Sequence, residues 1–396
     1  MKKWIGVSVL VVLWGIVCTK TYVGGSYLLG WDNLVPEFGF QININRALST
    51  TWQEYQGIGL LGGMGHAADL TRQILLWGMS GVVPTNMLRW GWTLGMLLLG
   101  PLGIYALGKK FFRLDLAALV GAVFYLLNPV TVQVFNVPFE TFVSFYGFVP
   151  WMLWGALTYL RDGRRASLIK LLLILLLGMS AFVVQTMFIV LLIMIGIFSL
   201  EHLVKYRDLK RVLKMWLVVL AGNLFWLLPV LWFGITSSSV NINAKMNQLA
   251  THEVELMNVA YGDIAEIASL KGWWLQNTDV NSDGKMILLM ENWTKWLGGS
   301  EVQWVGIIIF ITAIIGLLYL IKEDQKKKLK WSWLSILLLI FTMLARRVQI
   351  FSKIYDLIAQ NVPLFGQMFR AGYTKWSIPM ILVVSVGLMS IINYLY

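Results

Sequence analysis

Long apolar runs closed by polar segments repeat along the whole chain. The first run, 4–19, follows Met1-Lys2-Lys3 and meets Lys20 instead of a small-residue cleavage site, so it reads as a retained span entering from the cytoplasm. Runs at 87–107, 116–127 and 142–160 follow, the second ending at Asn128-Pro129, a dipeptide that disfavours further helix. The stretch 167–200 is too long for one crossing: at ~1.5 Å per residue it would reach about 50 Å against a hydrocarbon core of about 30 Å. It predicts two spans turning near Gln185-Thr186. With 215–233, 305–321, 331–345 and 376–394, the pattern predicts an all-α polytopic membrane protein of about ten transmembrane helices.

The polar segments are of two kinds. Short ones carry Lys109, Lys110 and Arg113, then Arg161, Arg164 and Arg165, then Lys205, Arg207, Lys210, Arg211 and Lys214, and finally the run 322–330. Three longer ones, 21–86, 234–302 and 346–375, carry acids and bases in comparable numbers. The positive-inside rule puts the short segments and both termini in the cytoplasm and the long segments outside a single transmembrane domain, 1–396. Within the first outer segment, Pro36 can open a short helix reaching about Leu48, and Gly57, Gly59, Gly62, Gly63 and Gly65 then interrupt regular structure. A helical pattern resumes over 67–78, so two short helices are expected along the outer membrane surface.

Composition agrees: 58% of residues are hydrophobic, 13% are charged, and mean hydropathy is +0.70. The net charge of +12 does not indicate a nucleic-acid partner, because the basic residues fall mainly in the short loops. Cys18 is alone, which removes a disulfide framework and a cysteine metal site. Tyr396 follows directly on the last span, as expected of a truncated product or of the membrane half of something longer.

No complete P-loop (Gly-x-x-x-x-Gly-Lys-Ser/Thr), His-Glu-x-x-His or Gly-x-Ser-x-Gly is present. With every large polar segment outside, a reaction site would face outward and take a lipid-linked substrate from the bilayer. Asp32 and Glu37 stand where the first span leaves the membrane, and ionisable groups at such a boundary are candidates for function. Structural roles are also open to them: Asp32 can cap the Pro36 helix, and Glu37 complements its dipole. A second constellation, Asp279, Asn281 and Asp283 followed by Gly284 and the Lys285 carbonyl, matches the first half of an EF-hand-type calcium loop. The glutamate that should complete it, Glu291, falls one residue late, and the plain alternative is a polar turn.

A first span followed at once by Gly30-Trp31-Asp32-Asn33, then two juxtamembrane helices in a long outer loop, resembles the GT-C class of membrane glycosyltransferases. Three motifs are similar to its arabinofuranosyltransferase-type branch and to bacterial relatives that glycosylate cell-envelope polymers. They are Trp52-Gln53-Glu54-Tyr55-Gln56-Gly57, Tyr125-Leu126-Leu127-Asn128-Pro129, and Asn361-Val362-Pro363-Leu364-Phe365 leading to Phe369, Arg370 and Lys375. No carbohydrate-binding outer domain follows the last span, as one does in larger members, so the acceptor is left open.

The resemblance implies a GT-C-like fold and transfer of a sugar from a polyprenyl-phosphate donor to a cell-envelope glycan or lipid on the outer face of the cell membrane. Asp32 matches the catalytic acid position, with Glu37 beside it. A transferred sugar requires a carboxylate to take the acceptor hydroxyl's proton and cations to hold the departing phosphate. Arg46, Arg72, Arg370 and Lys375 are the outer-face cations, each of which could instead snorkel at the interface. Trp31 and Trp52 can stack on a sugar ring, with Glu54 next to Trp52; Glu54 and Glu140 otherwise read as solvated loop acids, and His66 as a loop residue at a helix start.

Two other classes compete. A lipid or polysaccharide transporter or flippase would carry ionisable residues at mid-membrane depth, whereas the span interiors offer only Lys170, near an inner end, and the neutral Asn223 and Gln185. A non-catalytic assembly protein would use the outer segments as partner surfaces.

Overall fold

The computed structural model describes residues 4–29, 34–49, 52–53, 60–61, 65–136, 138–322, 330–362 and 364–396. These residues are overwhelmingly helical, and the strands among them form two antiparallel pairs, Trp52–Gln53 with Leu60–Leu61 and Thr278–Val280 with Met286–Leu288. Four described helices are long and apolar enough to cross a membrane: Thr85–Phe111, Gln185–Tyr206, Ser300–Lys322 and Gly372–Leu395. Three sharply bent helix pairs would bring the number to seven if each crosses as one span. The all-α expectation therefore holds, while this length-and-composition test supports four to seven spans against the ten expected.

The chain divides into two compact units, one within Met1–Phe111 and Pro138–Asn241, the other within Phe112–Val137, Ile242–Gln325 and Lys330–Tyr396. In the first, Thr85–Phe111 packs along Glu140–Asp162 through small residues. A Cβ at Gly103 would stand 2.8 Å from the Trp151 ring, and one at Gly147 would stand 2.6 Å from the Met96 sulfur. The indole N–H of Trp151 donates to the Leu99 carbonyl at 2.9 Å across the same seam. The long run 167–200 is split into two helices, but earlier than the turn expected near Gln185-Thr186: Arg165–Leu177 ends at Gly178, the 3-10 turn Met179–Phe182 follows, and Gln185 already opens the next helix, Gln185–Tyr206.

The span expected over 215–233 is not straight. Leu209–Ala221 and Leu224–Thr236 meet at 79°. Asn223 sits at the break, its amide donating to the Val219 carbonyl and accepting from the Trp226 indole, both at 2.8 Å. A short polar side chain that bonds backbone in this way competes with helix continuation.

In the second unit, Asp115–Leu126 ends where expected, but Asn128-Pro129 leads into a further helix, Pro129–Asn136, turned by 43°. Asn128 makes the corner: its amide nitrogen donates to the Phe124 and Tyr125 carbonyls, its oxygen accepts from Thr131 N–H, and Pro129 opens the new helix. Trp331–Leu344 likewise turns 83° into Gln349–Asn361. There Arg346 pairs with Glu255 and Asp356, each at 2.8 Å, and stacks over the Tyr355 ring at 4.0 Å. Gly372–Leu395 is the most buried helix of the unit, packed by Asp115–Leu126, Ser300–Lys322 and Trp331–Leu344.

The closest helix crossing is at Gly316, where an added methyl would overlap the Gly387 carbonyl. Gly316→Ala is expected to lower the melting temperature in detergent, since backbone would have to move apart. Gly15→Ala, which meets nothing within 4 Å, is the control expected to leave it unchanged.

Candidate functional site

Five separate elements of the first unit deliver charged side chains to one buried network. Glu37 lies in the 3-10 turn Pro36–Phe38, and Asp69 closes the 3-10 turn His66–Asp69. Arg72 is one turn into Leu70–Met79, Arg89 stands near the start of Thr85–Phe111, and Glu140 is the first residue of Glu140–Asp162. Each is more than nine-tenths buried. Arg72 grips Asp69 with two parallel bonds, Nε to Oδ1 at 2.6 Å and Nη2 to Oδ2 at 2.7 Å, and Gln73 adds a third donor to Oδ2 at 3.0 Å. Arg89 donates through Nε to Glu37 at 2.8 Å and through Nη2 to Glu140 at 2.7 Å and to the Leu34 carbonyl. Arg72 Nη2 lies 3.5 Å from the same Glu140 oxygen, which joins the two halves.

The electrostatics follow from burial. Three carboxyls face two guanidiniums, and charges removed from water must be balanced. Glu140, which precedes the apolar stretch of its helix, is the one that adjusts: burial pushes its carboxyl up to about 7, against the opposing pull of Arg72 and Arg89. Burial would lower the Arg72 guanidinium, but Asp69, Glu140 and Glu37 hold it above its ordinary value. Several atoms here have no hydrogen-bond partner among the described residues: Glu37 Oε2, Arg72 Nη1, Arg89 Nη1, Gln73 Oε1 and His66 Nδ1.

His66 is buried against the network. Gly65 leads into it, donating from its N–H to the Val183 carbonyl at 3.2 Å, and a Cβ there would stand 2.9 Å from the Phe182 carbonyl. Arg46 Nη2 lies 3.1 Å from His66 Nε2. A guanidinium only donates, so Nε2 accepts and the proton sits on Nδ1. Burial, with the Arg46 charge in the same direction, pushes His66 down to about 4.

The sequence-predicted residues fall unevenly. Asp32, Trp31 and Glu54 lie outside the described residues. Glu37 belongs to the network, Arg46 reaches it through His66, and Trp52 is half exposed. Arg72, expected at the outer face, is fully buried, and Glu140, expected to be solvated, is buried and paired. Both expectations treated a polar segment as a solvated one, whereas here it folds inward over its own counter-ions. Arg89 was missed, and the span interiors are not as free of charge as Lys170 alone suggested. An arginine inside an apolar run is itself the signal, because it requires an acid partner.

In the second unit Arg370 donates to the Asn247 carbonyl at 3.2 Å, and its own carbonyl accepts from Asn258 at 2.5 Å. Lys375, expected at the outer face, is 9% exposed, with its ammonium on Thr374 Oγ1 at 2.8 Å. Asn281, Asp283 and Lys285 lie at the tip of the Thr278–Val280 and Met286–Leu288 hairpin, and Asp279 lies within its first strand, opposite Ile287. Asn281 Oδ1 accepts from the N–H of Asp283 at 3.0 Å and of Lys285 at 2.9 Å, and the Lys285 carbonyl accepts from Asn281 N–H at 2.9 Å. Calcium at this turn would have to compete with bonds that close it.

Comparison of the chain with protein-family models, with curated proteins and with solved structures finds no match.

The network carries two expectations. Arg89→Gln leaves Glu37 and Glu140 buried without their guanidinium and should destabilise the protein by about 3–5 kcal/mol, measured by denaturation in detergent. A histidine held neutral in the fold contributes stability that is fully present above about 6.5 and is lost as pH falls through 6.5 toward 4. His66→Gln should therefore flatten that part of the wild-type melting-temperature profile.

Proposed function

We propose that the chain is a membrane glycosyltransferase that moves a sugar from a polyprenyl-phosphate donor to a cell-envelope glycan or lipid on the outer face of the cell membrane. In this reading about ten spans carry the chain with both termini cytoplasmic, and the long polar segments form the outer face. Asp32 is the general base. Its carboxylate takes the proton of the acceptor hydroxyl as that oxygen bonds to the anomeric carbon. The bond from that carbon to the lipid phosphate breaks, and the phosphate leaves with the electron pair.

The observation that carries the reading is the fastening of the chain just beyond Asp32. Arg89 binds the Leu34 carbonyl and Glu37 from within a buried ionic network, so the polar segment after the first span is anchored two and five positions along the chain from the residue assigned to the chemistry. Precise placement of a base requires such a support. The same network weighs against a transport pathway. Glu140 begins its helix and Arg89 is about 6 Å into its own at ~1.5 Å per residue, so these charges cluster at helix ends rather than at mid-depth. In this reading Arg370 and Lys375, five positions apart around the start of Gly372–Leu395, hold the lipid phosphate.

The test is transfer by purified protein in lipid, offered a panel of polyprenyl-phosphate sugars. Asp32→Asn is expected to cut turnover by about a hundredfold to ten-thousandfold while leaving melting temperature and donor binding near wild type. Wild-type turnover in Asp32→Asn with loss in Glu37→Gln or Glu54→Gln would move the base elsewhere in the segment. Full activity in all three variants would end the mechanism.

A further inference from the structure

In the second unit the helix Gln349–Asn361 presents three distinct faces along its length. One is turned into the protein: the Phe351 ring meets Phe341 at 5.9 Å between centroids, and the buried Tyr355 ring meets Phe365 at 5.3 Å. A second is apolar and uncovered. Ile350, Ile354 and Leu357, at the i, i+4, i+7 spacing of a single helical face, are 64%, 41% and 62% exposed. The third, along the edge of that stripe, is polar, since at ~3.6 residues per turn Gln349, Lys353, Asp356 and Gln360 fall in one row. Water on every side would leave the stripe without cover, and hydrocarbon on every side would leave the row unsolvated. A boundary between the two satisfies both, as it does for helices that lie in a membrane interface.

The geometry before the helix agrees with that placement. Trp331–Leu344 turns by 83° into it, so with the first across the bilayer the second lies nearly along its plane. Counted from Lys330 at its inner end, the 14 residues of Trp331–Leu344 span about 21 Å at ~1.5 Å each, about 9 Å less than a hydrocarbon core of about 30 Å. A helix following at that level sits where interfacial helices do, about 5–10 Å into the boundary between headgroups and acyl chains. Charge then selects the lipid. Arg346 is matched by Glu255 and Asp356, whereas Arg347 and Lys353 are exposed and have no ion pair among the described residues. One stands at the head of the helix and the other beside the stripe, a positive rim that complements anionic headgroups. Protein is a poor alternative cover, because three side chains fall far short of the roughly 800 Å² that each partner buries in a stable protein interface.

We propose that Gln349–Asn361 is an interfacial helix that docks on an anionic lipid surface, with Ile350, Ile354 and Leu357 among the acyl chains and Arg347 and Lys353 on the headgroup phosphates. It rests on the topology proposed above, in which Trp331–Leu344 crosses the membrane, but not on sugar transfer. Tyr355 packs on Phe365 and donates to the Phe369 carbonyl at 3.4 Å, so the helix fastens the segment leading to Arg370 to the same surface.

The test uses full-length protein with Cys18→Ser and a single bimane-labelled cysteine, in phosphatidylcholine nanodiscs doped with doxyl-labelled lipid. The label at Ile354→Cys is expected to be quenched, and several-fold more by doxyl-phosphatidylglycerol than by doxyl-phosphatidylcholine. Adding Arg347→Gln and Lys353→Gln should bring the two lipids to parity, in protein checked for wild-type melting temperature. The label at Gln360→Cys, in the polar row, should instead be quenched by aqueous iodide. Quenching at 354 by iodide alone, quenching there by neither reagent, as under a protein cover, or parity of the two lipids without the charge substitutions would each overturn the proposal. Leu338→Cys, exposed on Trp331–Leu344, separates the readings. Lipid quenching at 338 but not at 354 leaves the crossing and removes the interfacial helix, and its absence at both removes the crossing as well. Quenching at both in a protein that transfers no sugar removes the transferase reading alone.

Discussion

The guanidinium of Arg89 is shared among Glu37, Glu140 and the Leu34 carbonyl, deep enough in the protein that none of the charges can be solvated instead. Removing such groups from water is tolerated only where each charge meets another. That requirement places the Pro36–Phe38 turn, the start of Thr85–Phe111 and the start of Glu140–Asp162 around one point. Through Glu140 it reaches Arg72 and Asp69, and so the second of the two short helices in the first polar segment. The segment after the first span is therefore held from below by ion pairs as well as by apolar contact.

Polar side chains make the corners of the fold in the same manner. Asn128, Asn223 and Arg346 each stand at a sharp bend and bond the backbone or carboxyl groups that the bend exposes. In apolar surroundings a helix cannot simply fray, because its freed carbonyls and N–H groups would have no water to turn to. A residue that supplies the missing bonds fixes the break and its direction. Gln133 extends this logic to a loop, since its amide satisfies both the Leu270 carbonyl and the Gly272 N–H and so stabilises Leu270 at a φ of 60°, a left-handed backbone that is unfavourable by itself.

Much of this was legible from residue order. The helix boundaries at Pro36 and Asn128-Pro129 follow from local chemistry, and each appears close to where the pattern puts it. The 3.6-residue and membrane-length periodicities are local as well, which is why the helical class could be read directly. Glu140 and Arg72 were misread for the opposite reason. Each follows or lies within a polar stretch, and polarity along the chain does not say whether a segment faces water or folds over its own counter-ions.

The sequence by itself determined that the chain is helical, apolar enough to cross a membrane, and punctuated by long polar segments, because these depend on neighbours within a few residues. Only the tertiary structure decided which charges meet. Glu37, Arg89 and Glu140 are each separated by about fifty positions or more, and Gln133 meets Leu270 across 137. Arg89, inside an apolar run, carries a local signal that it needs a partner, but nothing in the local surroundings of Glu37, Glu140 or Gln133 distinguishes them from solvated residues. Burial makes the difference, since it raises the strength of a charge's interactions and the penalty of leaving it alone together, and burial is a property of the packed chain.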